Sequence, residues 1–481
     1  MCNRSVTLME KLCIVDLNRL EFKIKNMKKF TLILLMLISG MIFKANAQEP
    51  ATDEKLSEVN DKVNGLTERI ANDEADLQKL TKIKISGYIQ GQYQMTNSPL
   101  LEGVSNNYFS LRRVRVKFTY EAADGVKFVL QPDFSPGDLS LKDAYAVLND
   151  RWTKSFSLWM GKFNRPNYEV EYSSSQREVV ERSRVIRTLY PGERGIGAKL
   201  EFNPTTMPLH VQVALLNGAD GLTINDRAGA NINPNENKDF DNFKDVMARV
   251  TYNLSLGSFG GLDFGAHGYF GNLKAYSTTT LNGDYTTTEV IKFGDPIKKQ
   301  WFGGEFQLFA DVLGGMSLKG EYIAGKNGTT GFSGTAAGTT PVILGLPNTQ
   351  NNFAGYYLYF IKNLGKKNQF AFRYDYYDPN TDITGKEVGI LKYTPADPTT
   401  MRSVSTGVKD LATTTFDFAL HHYFDDNLRI TLDYAMVQNE KVGTPGKVVN
   451  NVNDAHGNPV VVDWSNAINQ NVLTLRIQAK F

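Results

Sequence analysis

The chain predicts an all-β fold: a sixteen-stranded antiparallel transmembrane β-barrel preceded by a short N-terminal periplasmic coiled coil. Three observations predict it. From Ile83 onward, apolar and polar residues alternate with a period of two. The alternating segments number sixteen, an even count, and the connections between them alternate between long and short. Successive strand side chains point to opposite faces, so such segments present one apolar and one polar wall. A membrane barrel needs strands of about ten residues, apolar toward lipid and polar toward the lumen, with short periplasmic turns and longer outer loops. Lipid tolerates no open sheet edge, so the sheet must close.

Composition agrees with this class. The 28 Phe, 22 Tyr and 41 Gly in 481 residues suit strands and turns more than helices. A mean hydropathy of −0.32 is compatible with a barrel, because half of each strand faces water.

At the N-terminus, Met27-Lys28-Lys29 forms a basic n-region, Phe30 to Phe43 an apolar h-region, and Ala45-Asn46-Ala47 an A-x-A cleavage site. The apolar run is shorter than the roughly 20 residues of a spanning helix. Residues 27–47 are therefore expected to be a signal peptide, with Met27 the true start and 1–26 a misassigned upstream extension. Cys2 and Cys13 both precede the cleavage site, so no disulfide is expected after export. The chain has 53 Lys+Arg and 51 Asp+Glu, of which the first 47 residues hold eight and three. The exported part is thus near −3, which argues against nucleic acid as a partner.

Residues 48–82 carry heptad spacing. Leu56, Val59, Val63, Leu66, Ile70, Leu77 and Leu80 recur at 3, 4, 3, 4, 7 and 3, with Asp73 on the seam and no proline between Ala51 and Ile83. A coiled coil is expected, since so short a helix needs a partner; packing against its own domain is the alternative.

Residues 83–481 hold the barrel. The first segment puts Ile83, Ile85, Ile89, Tyr93 and Met95 opposite Gln90, Gln92 and Gln94. The second, Tyr108 to Ala122, puts Val114, Val116, Phe118 and Tyr120 on the lipid face and Arg113, Arg115 and Lys117 on the lumen face. After the turn at Ala123-Asp124-Gly125, Phe128 and Leu130 face out and Gln131 and Asp133 face in. The fourth and fifth segments, near Leu139–Leu148 and Phe156–Phe163, do not fix their own faces. Eleven more follow, the last being Asn471–Phe481. There Leu473, Leu475, Ile477, Ala479 and Phe481 share one wall and Arg476 and Lys480 face the lumen. Connections from odd to even segments are long, except near Pro136-Gly137; the others are short. Both ends of the sheet then lie on the periplasmic side.

The chemistry is carried by arginine. Arg113, Arg115 and Lys117 stack along one strand about 6.6 Å apart, a ladder that could hand an anion from rung to rung. It could equally be a solvated face paired with acids such as Asp133. The long segment 164–194 holds Arg165, Arg177, Arg182, Arg184, Arg187 and Arg194, with Glu169, Glu171, Glu178, Glu181 and Glu193. A loop of this length is usually functional, and in a wide barrel it is expected to fold inward. Arg249, Arg373, Arg429 and Arg476 are expected to add to the pore wall. The histidines are scattered, and His421 and His422 face opposite ways, so no metal site or cofactor is expected.

Gly161-Lys162-Phe163-Asn164-Arg165-Pro166, with Glu171, Ser173-Ser174-Ser175 and Glu181-Arg182, resembles the third-loop region of the phosphate-selective porin O and P family. Arg112-Arg113-Val114-Arg115 and Arg194-Gly195-Ile196-Gly197 look like that family's second and sixth strands. The resemblance covers about 83–481. It implies a trimeric anion porin of a Gram-negative outer membrane, with a phosphate-like solute, lipid and the barrel assembly machinery as partners. It also implies that Phe481 belongs to the recognition signal for barrel insertion. Set beside the residues themselves, the first expectation is an anion-preferring porin for small hydrophilic solutes. A channel for neutral solutes or oligosaccharides, a surface adhesin using the long loops, and an outer-membrane hydrolase follow in that order.

Overall fold

The computed structural model describes residues 51–97, 106–136, 139–218, 224–225, 231–232, 241–286, 288–312, 314–331, 345–398, 401–443, 447–453, 459–463 and 470–481. The expected export signal, 27–47, and the preface before it lie outside the described residues. The chain divides into two units, Met1–Lys82 and Ile83–Phe481.

In the first unit, α1 runs from Ala51 to Thr81, where the proline-free heptads place it. Its seam residues Val59, Val63, Leu66 and Ile70 are about half exposed. On its polar face Lys62 and Glu58 form a pair one turn apart, at 2.7 Å. The helix is as expected; among the described residues of this unit no second helix covers its seam.

The second unit is one sheet closed on itself. Its strands are β1 (Ile83–Asn97), β2 (Asn107–Ala123), β3 (Val126–Asp133), β4 (Ser140–Asn149), β5 (Phe156–Asn164), β6 (Arg194–Phe202), β7 (Leu209–Asn217) and β8 (Lys244–Ser255). They continue as β9 (Gly260–Lys274), β10 (Pro296–Ala310), β11 (Met316–Thr329), β12 (Asn348–Leu364), β13 (Asn368–Asp378), β14 (Thr413–Tyr423), β15 (Leu428–Asn439) and β16 (Asn471–Lys480). Each pairs antiparallel with the next, and β16 pairs back onto β1, from Tyr88↔Lys480 to Asn97↔Asn471. All sixteen expected segments are present. Several run further than the alternation alone marks, and the outer connections carry short hairpins of their own, such as Thr279–Asn282 with Thr288–Val290. Among the described residues no helix is long and apolar enough to cross a membrane, a fact that says nothing of strands.

The wall is inside-out relative to a water-soluble protein. Phe118, Phe128, Leu130, Phe264, Leu420, Leu475 and Ile477 are exposed, while Gln90, Arg113, Arg115, Asp133, Thr474, Arg476 and Gln478 are buried. Facing lipid, the exposed apolar side chains are in their proper solvent. The two unsettled strands resolve in the same sense: Asp143 and Val147 of β4 and Phe163 of β5 are buried inside, while Leu141, Leu148, Phe156, Leu158 and Met160 are exposed.

At the closing seam Gly87 and Phe481 exchange two backbone hydrogen bonds, 2.9 and 3.0 Å. A Cβ on Gly87 would meet the Phe481 ring at 2.6 Å and the Arg115 carbonyl oxygen at 2.5 Å, so only glycine lets the last aromatic ring seat there.

Candidate functional site

The segment between β5 and β6 folds into the barrel and gives it a core. Two short helices build it: α2 (Tyr168–Glu171), capped by the Asn167 side chain accepting from Val170 N, and α3 (Arg184–Leu189). The Glu169 carboxylate ties the two arms together, accepting from Ser183 N at 3.1 Å and Ser183 Oγ at 2.5 Å. Val170, Val179, Val185, Ile186, Leu189 and Tyr190 are buried against lumen-facing Tyr269, Trp301, Phe353, Tyr357, Tyr359 and Tyr377. Trp301 Nε1 donates to Tyr190 Oη at 2.9 Å. Val185 approaches the wall at Gly355, where a Cβ would lie 2.8 Å from it. Burial of this apolar set, at about 25 cal/mol per Å2, drives the loop inward.

Polar tethers fix it around most of the ring. Gln90 of β1 and Gln478 of β16 donate to Ser174 O and Ser175 O. From β15, Arg429 donates to Arg177 O and Asp433 accepts from Val180 N. His421 of β14 donates to Glu178 O at 2.6 Å, and Lys319 of β11 pairs with the Glu178 carboxylate. Asp375 of β13 accepts from Arg184 N, Tyr359 of β12 donates to Glu169, and Arg249 of β8 pairs with Glu171. Most of the apolar contacts and of these tethers lie away from β3 and β4, with Tyr145 of β4 at the margin of the apolar cluster.

The open space is on that side. A cavity of about 340 Å3 lies between the loop and β2, β3 and β4. From the wall come Arg112, Arg113, Arg115 and Lys142, and from the loop Arg177, Arg182 and Arg187; the acids are Asp133, Glu181 and Glu193. Seven cations thus face three acids. A second cavity of about 160 Å3 shares Arg115 and Arg182 and adds Lys117, Arg194, Asp143 and Glu171. The shared arginines make the two spaces neighbours.

Some of this charge is paired. Arg115 Nε donates to Asp133 at 2.8 Å, Arg182 Nε to Glu193 at 2.7 Å, and Arg194 Nε to Asp143 at 3.0 Å. Some is not. Arg113 Nε, Arg182 Nη1 and all three nitrogens of Arg177 are buried without a hydrogen-bond partner among the described residues. Burial, with Arg182 adding like charge, pushes the Arg177 guanidinium down to about 10, so it stays charged at neutral pH. Burial works against ionisation of Glu181, but the Arg112 fork outweighs it and holds the carboxyl well below the usual carboxylate range. Glu193 is held low in the same way by Arg182. These loop carboxylates therefore keep their charge into acid that protonates exposed ones.

The expected site residues separate into groups. Arg113, Arg115, Arg177, Arg182 and Arg187 line the larger cavity and Lys117 the smaller. Arg165, Arg249, Arg373, Arg429 and Arg476 line neither. Arg165 lies against Gly195, and Arg373 bridges Asp417 at 3.0 Å and the Glu181 carbonyl at 2.6 Å. Arg476 donates to Val180 O and Gln92. Arg184 is exposed and enters through its backbone. The single-arginine wall is thus, in large part, a set of loop anchors. Arg249 shows the energetic stake. Its guanidinium is 5% exposed and bonds both Glu305 oxygens as well as Glu171. Arg249→Ala is expected to cost about 3–5 kcal/mol by stranding a buried carboxylate. Heat-induced loss of the folded band on semi-native gels checks this.

Two features escaped strand periodicity. Arg112 should share the lipid face with Val114, yet a bulge opposite Gln90/Gly91 inserts it as an extra residue. Its side chain turns inward and grips Glu181 with two bonds, 2.8 and 3.0 Å. The Arg112-Arg113 doublet in a strand is the only local sign of it. His267, Glu305 and Glu321 also converge, with ligand atoms within 4.8 Å of one another. Their oxygens are taken: Arg249 holds Glu305, while His267, Asn167 and Tyr357 hold Glu321. The neighbouring guanidinium makes this an anchor for Asn167 rather than a cation site.

Comparison with known proteins bears out the family resemblance over the first half of the barrel. Residues 82–286 match the family model for phosphate-selective porin O and P, which spans the first strands, the inward loop and the cationic cavity. No curated protein sequence matches. Solved structures similar to this chain include an anion-selective porin from Comamonas acidovorans, at 11% identity over 83% of this chain and 99% of that one, TM-score 0.49. The outer-membrane channel DcaP of Acinetobacter baumannii is 11% identical over 83% and 97%, TM-score 0.48. OmpT of Vibrio cholerae, in its trimer form, is 11% identical over 83% and 99%, TM-score 0.44. The family match over the first half of the barrel, together with the closed sixteen-stranded sheet, points to an outer-membrane channel rather than an enzyme.

Proposed function

We propose that this chain, a barrel matching the phosphate-selective porin O and P family across its first half, is a passive porin that prefers small anions, phosphate-like ones among them. The path runs between the inward loop and β2–β4, past Arg113, Arg177 and Arg182. The observation that carries this reading is their unsatisfied nitrogens around one cavity. A buried donor without an acceptor costs about 1–3 kcal/mol, which an oxyanion entering the cavity would offset. Guanidinium forks suit phosphate and carboxylate oxygens, and several weak sites in series let the ion leave again. In a planar bilayer, phosphate added to chloride is expected to reduce the chloride current in a saturable way. Indifference of the current to phosphate would count against this reading.

The assembled state is read as a homotrimer in the outer membrane of a Gram-negative bacterium, with α1 in the periplasm. The half-exposed seam Val59, Val63, Leu66 and Ile70 supports this, because such a stripe calls for a partner helix. The ring of Phe481, seated over Gly87 at the closing seam, is read as part of the signal for the barrel assembly machinery. Phe481→Ser is expected to lower the amount of folded barrel in the outer membrane while leaving export intact. Membrane fractionation with gel-shift detection checks this, and an unchanged amount would remove that role.

A further inference from the structure

Glu181 is an acid on the lining of the cationic cavity. Arg112 holds both its oxygens, at 2.8 and 3.0 Å; Arg476 Nη2 reaches Oε1 at 3.3 Å and Arg113 Nη2 lies 4.0 Å from Oε2. This is the arrangement a free carboxylate would adopt there.

The loop does not depend on that contact for its position. On either side of the side chain the backbone is held separately: Val180 N donates to Asp433, Arg476 donates to Val180 O at 2.9 Å, and Arg373 donates to Glu181 O at 2.6 Å. The carboxylate is also about a quarter exposed, at 28% of its side chain, whereas Arg113 beside it is 4% exposed. It can therefore leave its arginines by rotating its own side chain, with the loop backbone in place.

Resting on the anion-porin reading, we infer that Glu181 is a tethered occupant of the anion site, and that the solute class taken there includes small organic carboxylates, whose carboxyl group replaces that of Glu181. An entering carboxylate takes over the Arg112 fork and the nearby Arg113 and Arg177 donors, and the displaced Glu181 turns to the water of the cavity. The tethered acid raises the concentration at which free anions hold the site, which keeps ions moving.

The test is the block of chloride current by succinate in planar bilayers, for wild type and Glu181→Gln. The neutral amide keeps the shape and removes the competing charge, so the half-blocking succinate concentration is expected to fall on the order of threefold to fivefold. Equal half-blocking concentrations in the two proteins would overturn the inference while leaving the anion reading intact. A cation-selective wild type would instead sink that underlying reading. Phosphate run in parallel separates the solute classes: a shift for phosphate with none for succinate refutes the carboxylate assignment. Folding is followed by gel mobility on the same preparations. If Glu181→Gln does not fold, Glu181→Asp serves, since it retains the charge but draws it back from Arg112. It is expected to lower the half-blocking concentration by a smaller factor, and no change would refute displacement.

Discussion

Replacing residues 169–189 with a short Gly/Ser linker is expected to raise single-channel conductance roughly threefold or more and to bring the reversal potential in a salt gradient close to zero. The expectation follows from what the loop occupies. A sixteen-stranded barrel leaves an aqueous channel when nothing fills it. Here Val170, Val179, Val185, Ile186, Leu189 and Tyr190 fill much of that width against the aromatic wall. The same segment supplies Arg177, Arg182 and Arg187, the cations on the far side of the cavity from β2. Without it, ions pass a wider, wetter lumen in which wall charges are screened over about 8–10 Å. The altered barrel is also expected to lose heat resistance, because Tyr269, Trp301, Phe353 and Tyr357 then face water. Bilayer recording and heat-modified gel mobility check both halves; unchanged conductance would show that the loop does not set the constriction.

The second large effect is expected at one side chain. Arg177→Met should lower anion selectivity several-fold and yet make the barrel more stable, on the order of 1–4 kcal/mol. Arg177 is 3% exposed, and none of its three nitrogens has a hydrogen-bond partner among the described residues. A buried charge held this way opposes folding, and a methionine of similar length removes that cost while preserving contacts. Its persistence is understandable if the guanidinium serves passing anions. Opposite movement of selectivity and stability is the signature, read by reversal potentials and thermal unfolding of one preparation. A destabilised Arg177→Met barrel would show that the guanidinium is instead a structural tie.

The barrel was legible because lipid outside and water inside impose a period of two that no local feature has to reinforce. Ile477 and Arg476 declare opposite faces by adjacency alone, and the structure has them so. β4 and β5 were obscure in the sequence for a local reason. Small residues, Ala144, Ala146 and Gly161, blur the alternation there, and the register shifts at Gln131/Pro132 of the neighbouring strand. Arg112 was hidden by its bulge. The division of arginines between the open cavities and the loop anchors had no local signal at all. Arg476 meets Glu181 across 295 positions, and Arg429 meets Arg177 across 252. Those pairings depend on where the loop crosses the lumen, which is set by an apolar core assembled from strands far apart in the chain. The inward loop itself was readable from its length and charge.

The most direct measurement is the reversal potential of the purified, refolded wild-type protein in a planar bilayer under a roughly tenfold potassium chloride gradient at neutral pH. With seven cations facing three acids in the cavity, the potential is expected to lie toward the chloride equilibrium value. A potential toward the potassium value would contradict the anion path between the loop and β2–β4.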